Sequence, residues 1–339
     1  MKATEERIPK ELFEPAQIDQ LNNEKIAKPS LNFWQDSWLR VRKNKGAIIA
    51  LVVLIFLTFM AFVGPYMNDY TFDEQNLAHA NLPPRVPVLE NFGILDGTSE
   101  RNGQTFNMYE LKGIEDYYWF GTDSLGRDIF TRLWKGTQVS LYIAVIATLI
   151  DVLIGVAYGG ISAYYGGRVD NIMQRILEIL AGIPNLVIVI LMILVLEPGI
   201  TSIIFALALT GWIGMARVVR GQVLKLKNQE FVLASKTLGA SDAKIIFKHL
   251  IPNLAGIIII NTMFTIPSAI FFEAFLSFIG LGLQAPLASL GTLIDDGYKT
   301  MQFLPHALFF PALVLSLLLI AFNLLADGLR DAFDPKMRD

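Results

Sequence analysis

Six runs of apolar residues recur along the chain, near Gly46 to Met67, Val139 to Ala163, Ile176 to Leu196, Ile200 to Ala216, Leu254 to Phe278 and Pro305 to Ala326. A helix rises about 1.5 Å per residue and a bilayer's hydrocarbon core is about 30 Å thick, so roughly 20 apolar residues suffice for one crossing. The pattern predicts an all-α membrane protein with six transmembrane helices. Only Glu197-Pro198-Gly199 parts the third run from the fourth, which predicts a tight hairpin. Pro184, Pro267 and Pro311 fall inside or beside the runs, a placement that bundles in lipid accommodate through neighbouring groups.

The polar stretches between the runs divide the chain further. Residues 1–45 form an N-terminal segment, 46–67 the first helix, 68–137 a long loop, 138–329 a five-helix unit, and 330–339 a tail. The loop at about Asn68 to Gln138, rich in Asp, Glu, Asn, Gly and Pro, exceeds what a connection needs, so we expect a small external cap. Placing the N-terminus in the cytoplasm puts 21 of the 28 lysines and arginines inside, which predicts cytoplasmic termini on both sides of an even number of crossings. The mixed-charge first forty residues lack the apolar core of a cleavable signal, and the first run is expected to be an uncleaved anchor.

The one sizeable internal loop, residues 217–252, reads RVVRGQVLKLKNQEFVLASKTLGASDAKIIFKHLIP. Phe231, Ala234 and Leu238 share a face of a short helix beginning at Glu230, and Gly239 is expected to stop it. Ser241 or Asp242 can cap a second helix through Leu250, which Pro252 is expected to end. Such a helix-turn-helix suits either a groove on a partner or the plane of the lipid headgroups.

Composition narrows the classes. A chain that is 53% hydrophobic and 17% charged, with mean hydropathy +0.46, is too apolar for two soluble domains. A net charge of -3 gives no reason to expect nucleic acid as a partner, and membrane lipid is the expected surround. The absence of cysteine removes thiolate chemistry and cysteine metal sites. His79, His249 and His306 are scattered, and neither an HExxH pair nor a GxSxG elbow occurs, so no catalytic or metal constellation is predicted. A Walker GxxxxGK[ST] loop is also missing, so the chain is not expected to bind ATP or any cofactor itself.

Two carboxylates fall within the apolar runs. Asp151 sits mid-way along the second, where an ionised group costs several kcal/mol unless it faces a cavity or a partner. A bond to another helix or to a companion subunit and a place on a solute pathway both account for it. Glu273, in the fifth run, is expected to line a translocation route, with an interhelical bond or a contact to the cap as alternatives. Glu178 lies one turn from Arg175, the spacing of an ion pair. In GTDSLGRD, Gly121 and Gly126 permit tight turns and Asp123 or Ser124 is expected to cap the second helix. Arg127 and Asp128 either belong to the turn or meet an external partner.

Several stretches together resemble the type I permease subunits of ABC importers. Glu230, Ala234, Gly239 and the run His249-Leu250-Ile251-Pro252-Asn253 are similar to the EAA loop of those subunits, although Phe231 and Val232 stand where small residues are common. FWQDSWLRVRKNKGAIIALVVL, FGTDSLGRDIFTRLWKGTQVSL and FFEAFLSFIGLGLQAPLASLGTLIDDG resemble C-type permeases of dipeptide, oligopeptide and nickel importers. Gln138 stands where that family has arginine.

The resemblance implies a type I ABC importer permease fold in a bacterial plasma membrane. It implies a coupling loop at Glu230, Ala234, Gly239, His249 and Pro252 that docks on an ATPase. It implies as partners a homologous second permease, two ATP-binding subunits carrying ATP and Mg²⁺, and an extracellular or periplasmic substrate-binding protein. The expected substrate is a short peptide, with nickel or another small solute as an alternative. A secondary transporter or channel is the rival of a different class.

Overall fold

The computed structural model describes residues 32–101 and 104–333. Residues 1–31 of the expected N-terminal segment and 334–339 of the expected tail lie outside the described residues. Helix α1 (Phe33–Lys43) begins after Asn32, whose backbone N–H donates to Gln35 Oε1 at 3.1 Å. Asn44 ends it and caps α2 (Lys45–Val63), its side chain accepting from the Ala47 N–H at 3.2 Å.

The long polar loop then folds on itself as a cap. It holds a two-stranded antiparallel sheet, β1 (Thr98–Arg101) and β2 (Gln104–Asn107), and the short helix α3 (Met108–Lys112). Its small core is Leu82, Tyr109 and Tyr118. Arg85 lies over the rings of Tyr109 and Tyr117, at 5.1 and 4.5 Å from their centroids, and donates to Glu90 at 2.8 Å. A few aromatic rings and one guanidinium therefore order a segment that has little aliphatic material of its own.

Helix α4 (Ile129–Tyr165) follows, 37 residues and so about 55 Å long. After it come α5 (Gly167–Ala181), α6 (Asn185–Leu196), α7 (Ile200–Thr210), α8 (Trp212–Leu226), α9 (Glu230–Thr237) and α10 (Asp242–Lys244). A six-residue π-helical stretch, Ile245–Leu250, leads into α11 (Ile251–Phe278), and α12 (Leu290–Thr300) and α13 (Pro305–Phe333) complete the fold. Among the described residues, five helical segments are long and apolar enough to cross a membrane, and α5 with α6 make a sixth when the bent pair is one span.

Three sequence expectations change here. The third run is not one straight helix, because α5 and α6 meet at 80° across Gly182-Ile183-Pro184. Proline disfavours helical geometry in the residue before it and offers no N–H to continue the ladder. Pro252 does not end a helix, since the chain stays helical from Asp242 to Phe278. The preceding π turns shift the bonding register, so the carbonyl that proline leaves unpaired falls where the helix is already loosened. The second long helix is capped by Asp128, not by Asp123 or Ser124.

We call the end of the bundle beside β1 and β2 the cap end, and the end holding Lys45, Tyr165, Leu226 and Phe333 the basal end. Apolar residues of α2, α4, α11, α12 and α13 pack as one core, with Leu133, Ile270, Leu290 and Leu318 fully buried. Helices α4 and α8 pack along a long shared seam. The small residues Gly155 and Gly159 sit in the seam, where a Cβ on Gly159 would overlap the Ala216 carbonyl oxygen.

Candidate functional site

A cavity of about 460 Å³ opens between α4, α6, α7, α8 and α11 at mid-bundle. Its polar lining consists of Asp151, Asn185, Thr210, Asn261, Thr265 and Ser268. Asp151 is 4% exposed, and its Oδ1 has no hydrogen-bond partner. Its carboxylate lies against Gly211, at the step between α7 and α8, where a Cβ would overlap it. The Thr265 and Ser268 hydroxyls donate back to the carbonyls four residues earlier, at 2.9 Å each, so their oxygens still face the cavity as acceptors.

A second space of about 1130 Å³ lies toward the basal end. Val218, Asn261 and Phe264 line both, so the two spaces adjoin. Arg217, Lys225 and Arg330 line the wider part, along with Gln222 and Asn253.

The basal loop, made of α9, α10 and the π-helical stretch, projects beside this wider space. Its apolar residues divide into two sets with opposite fates. Val232, Ile245 and Leu250 are buried against Ala163, Val219 and Val223 of α4 and α8. Leu238 is 88% and Phe247 70% exposed, and Phe231 and Leu233 are exposed beside them. Gly239 turns the chain between the two arms at φ +78, a left-handed geometry that any other residue adopts at a cost. Ser241 caps the second arm, accepting from the Lys244 N–H at 3.4 Å, and Asp242 instead accepts from the Tyr164 hydroxyl at 2.6 Å, which ties the loop to α4. The face of Phe231, Ala234 and Leu238 thus points away from the bundle, and the anchor is Val232. Glu230 begins α9, and His249 and Pro252 lie in the unbroken second arm.

Comparison with known proteins places this architecture. The family model described as binding-protein-dependent transport system inner membrane component matches residues 152–339. The chain belongs to that family. A model of the N-terminal TM domain of oligopeptide transport permease C matches residues 32–84 of this permease. It is 45% identical to the oligopeptide transport system permease protein OppC of Bacillus subtilis over 98% of this chain and 99% of that one. It is 47% identical to the dipeptide transport system permease protein DppC of the same organism, over 98% of this chain and 95% of that one. Among solved structures, an inward-facing MetNI methionine ABC transporter is similar over 58% of this chain and 95% of that chain, at 16% identity and a TM-score of 0.46. The permease is thus a multi-pass membrane protein of a transporter family rather than an enzyme.

The other sequence candidates fall outside the cavity. Glu273 is 0% exposed and accepts from the Ser140 and Ser277 hydroxyls, at 2.7 Å each, so its carboxylate joins α11 to α4 and does not reach the cavity lining. This is the interhelical bond that the sequence left as the alternative. In GTDSLGRD, Gly121 and Gly126 take φ +77 and +72. Asp123 accepts from the Arg127 guanidinium at 2.6 Å, and Asp128 accepts from Thr131 N–H at 2.8 Å and from Asn68 Nδ2 at 2.9 Å. Burial pushes the Asp128 carboxyl up and these bonds oppose the shift. Arg127 and Asp128 are both buried, so neither offers an exposed surface. Arg175 pairs with Glu178 at 2.8 Å as expected.

Several residues of structural weight carried no sequence prediction. Arg220 of α8 grips Asp170 of α5 with two bonds, 2.7 and 2.6 Å, and the Ser162 hydroxyl adds a third at 2.5 Å. Arg132 of α4 stands 3.8 Å from Asp296 of α12, beside the candidate Arg127 at 3.6 Å from the same carboxylate. The first pair is more than 40 residues apart in sequence, so no local spacing announces it. The GxxxG spacing of Gly155 and Gly159 was a readable sign of close helix approach.

Proposed function

We propose that this chain forms half of the translocation path of an ATP-driven importer for short peptides, paired with a homologous permease subunit. Two separate ATP-binding subunits, holding ATP and Mg²⁺, grip the basal loop, and an external binding protein delivers the peptide at the cap end. The termini and the basal end face the cytoplasm, in agreement with the lysine and arginine bias. The assignment of peptides rests on the relatives, which are named as oligopeptide and dipeptide permeases.

One observation carries the coupling role. The basal loop presents Leu238 and Phe247 outward while Val232, Ile245 and Leu250 lock it into the bundle. Its second arm continues without a break into α11, which supplies Asn261, Thr265 and Ser268 to the cavity. A push on the exposed face is therefore carried along α11 to the cavity wall. Replacing Leu238 by Asp should abolish co-purification of the ATP-binding subunits and ATP-dependent peptide uptake, while the variant still inserts and keeps its helix content. Unchanged coupled uptake, or peptide transport by the isolated chain without ATPase partners, would refute the proposal.

A further inference from the structure

The two adjoining spaces are electrically distinct. The mid-bundle cavity is lined by one carboxylate, Asp151, and by no lysine or arginine. Among the described residues, the wider basal space is lined by Arg217, Lys225 and Arg330 and by no carboxylate. Resting on the peptide-import reading, we propose that Asp151 receives the α-ammonium group of the peptide while these cations receive its carboxylate, so that the peptide lies amino end toward the cap.

The Asp151 side chain is built to take a cationic ligand. It is 4% exposed, its Oδ1 is unpartnered, and it faces a cavity whose hydroxyl and amide oxygens can complete the shell of an ammonium group. An unpaired carboxylate at this depth is costly to keep, and an ammonium ligand offsets that cost during passage. Gly211 leaves room for the carboxylate on one side and no room for a competing side chain.

Spacing sets the length of peptide that fits both ends. Asp151 abuts Gly211, and Arg217 and Lys225 follow along α8. At about 1.5 Å per residue these lie about 9 and 21 Å further toward the basal end. An extended peptide covers about 3.5 Å per residue, so chains of about three to six residues bridge the two charge zones. A dipeptide engages one zone at a time.

The chain contains no cysteine, which permits a direct test. Ser268→Cys places a thiol on the exposed part of the cavity lining. In the full complex, modification of this thiol by a cationic and by an anionic methanethiosulfonate reagent is measured by mass spectrometry of this chain. The cationic reagent should be favoured, and Asp151→Asn should reduce the preference about tenfold. Tri-alanine should protect the thiol with Asp151 present and lose that protection in Asp151→Asn, whereas propionyl-dialanine, which lacks the ammonium group, should protect neither. Equal protection by the two probes, protection that survives Asp151→Asn, or a reagent preference that ignores it would overturn the proposal. Uptake of labelled tri-alanine by the same complex before modification is read in parallel, and its absence would indict the peptide-import reading instead.

Discussion

At the scale of single residues, the burden falls on side chains that have no freedom to move. Glu273 is enclosed on all sides, and its two serine partners belong to two helices. Glu273→Ala should destabilise the bundle by about 0.6–1.7 kcal/mol, from the mean to the maximum for interhelical bonds in membranes, while Glu273→Gln should recover most of it. Thermal unfolding of the detergent-solubilised complex reads the difference. Gly159→Leu is the harsher change. It forces a side chain against the Ala216 carbonyl in the α4–α8 seam, and overpacking of this kind costs about 1–3 kcal/mol, read as reduced yield and lowered thermal stability. The sequence puts both charged residues within apolar runs, yet it could not say which way each pointed. Asp151 and Glu273 look alike in a hydropathy profile. What separates them is the local company: hydroxyls at Ser140 and Ser277 satisfy one, and the bare backbone of Gly211 leaves the other open.

Among elements, the apolar runs were legible because bilayer thickness fixes their length. Their continuity was not. The break at Pro184 and the continuity through Pro252 turn on the same residue type with opposite results. The difference lies in what precedes each proline, a glycine two positions earlier in one case and π-helical turns in the other. The bidentate Arg220 grip on Asp170 holds α5 against α8, so a double-mutant cycle with Arg220→Met and Asp170→Asn should return a coupling energy of about 0.5–3 kcal/mol. In the cap, the Arg85 guanidinium and the Tyr117 hydroxyl hold the Glu90 carboxyl below the usual glutamate range. A carboxyl depressed in the folded state contributes stability above its unfolded pKa and loses it as pH falls through the depressed value. The cap should therefore loosen in acid, seen as faster proteolysis within residues 85–117, and Glu90→Gln should make that rate less dependent on pH.

For the whole molecule, the orientation derived from charge counting is open to the same cysteine-free strategy. Leu89→Cys in the cap should react with an impermeant maleimide in intact cells, and Phe247→Cys only after the membrane is opened. The reverse pattern would place the basal loop outside and remove it from any ATPase. The length of α4 has a further bearing on how such a machine is observed. Its roughly 55 Å exceed the hydrocarbon layer by nearly a factor of two, so one long rod runs from the Asp128 turn under the cap to Tyr165, whose neighbour Tyr164 holds the basal loop. A dye fixed near Asp128 would accordingly report nucleotide turnover on the far side of the membrane, with no sensor placed on the motor at all.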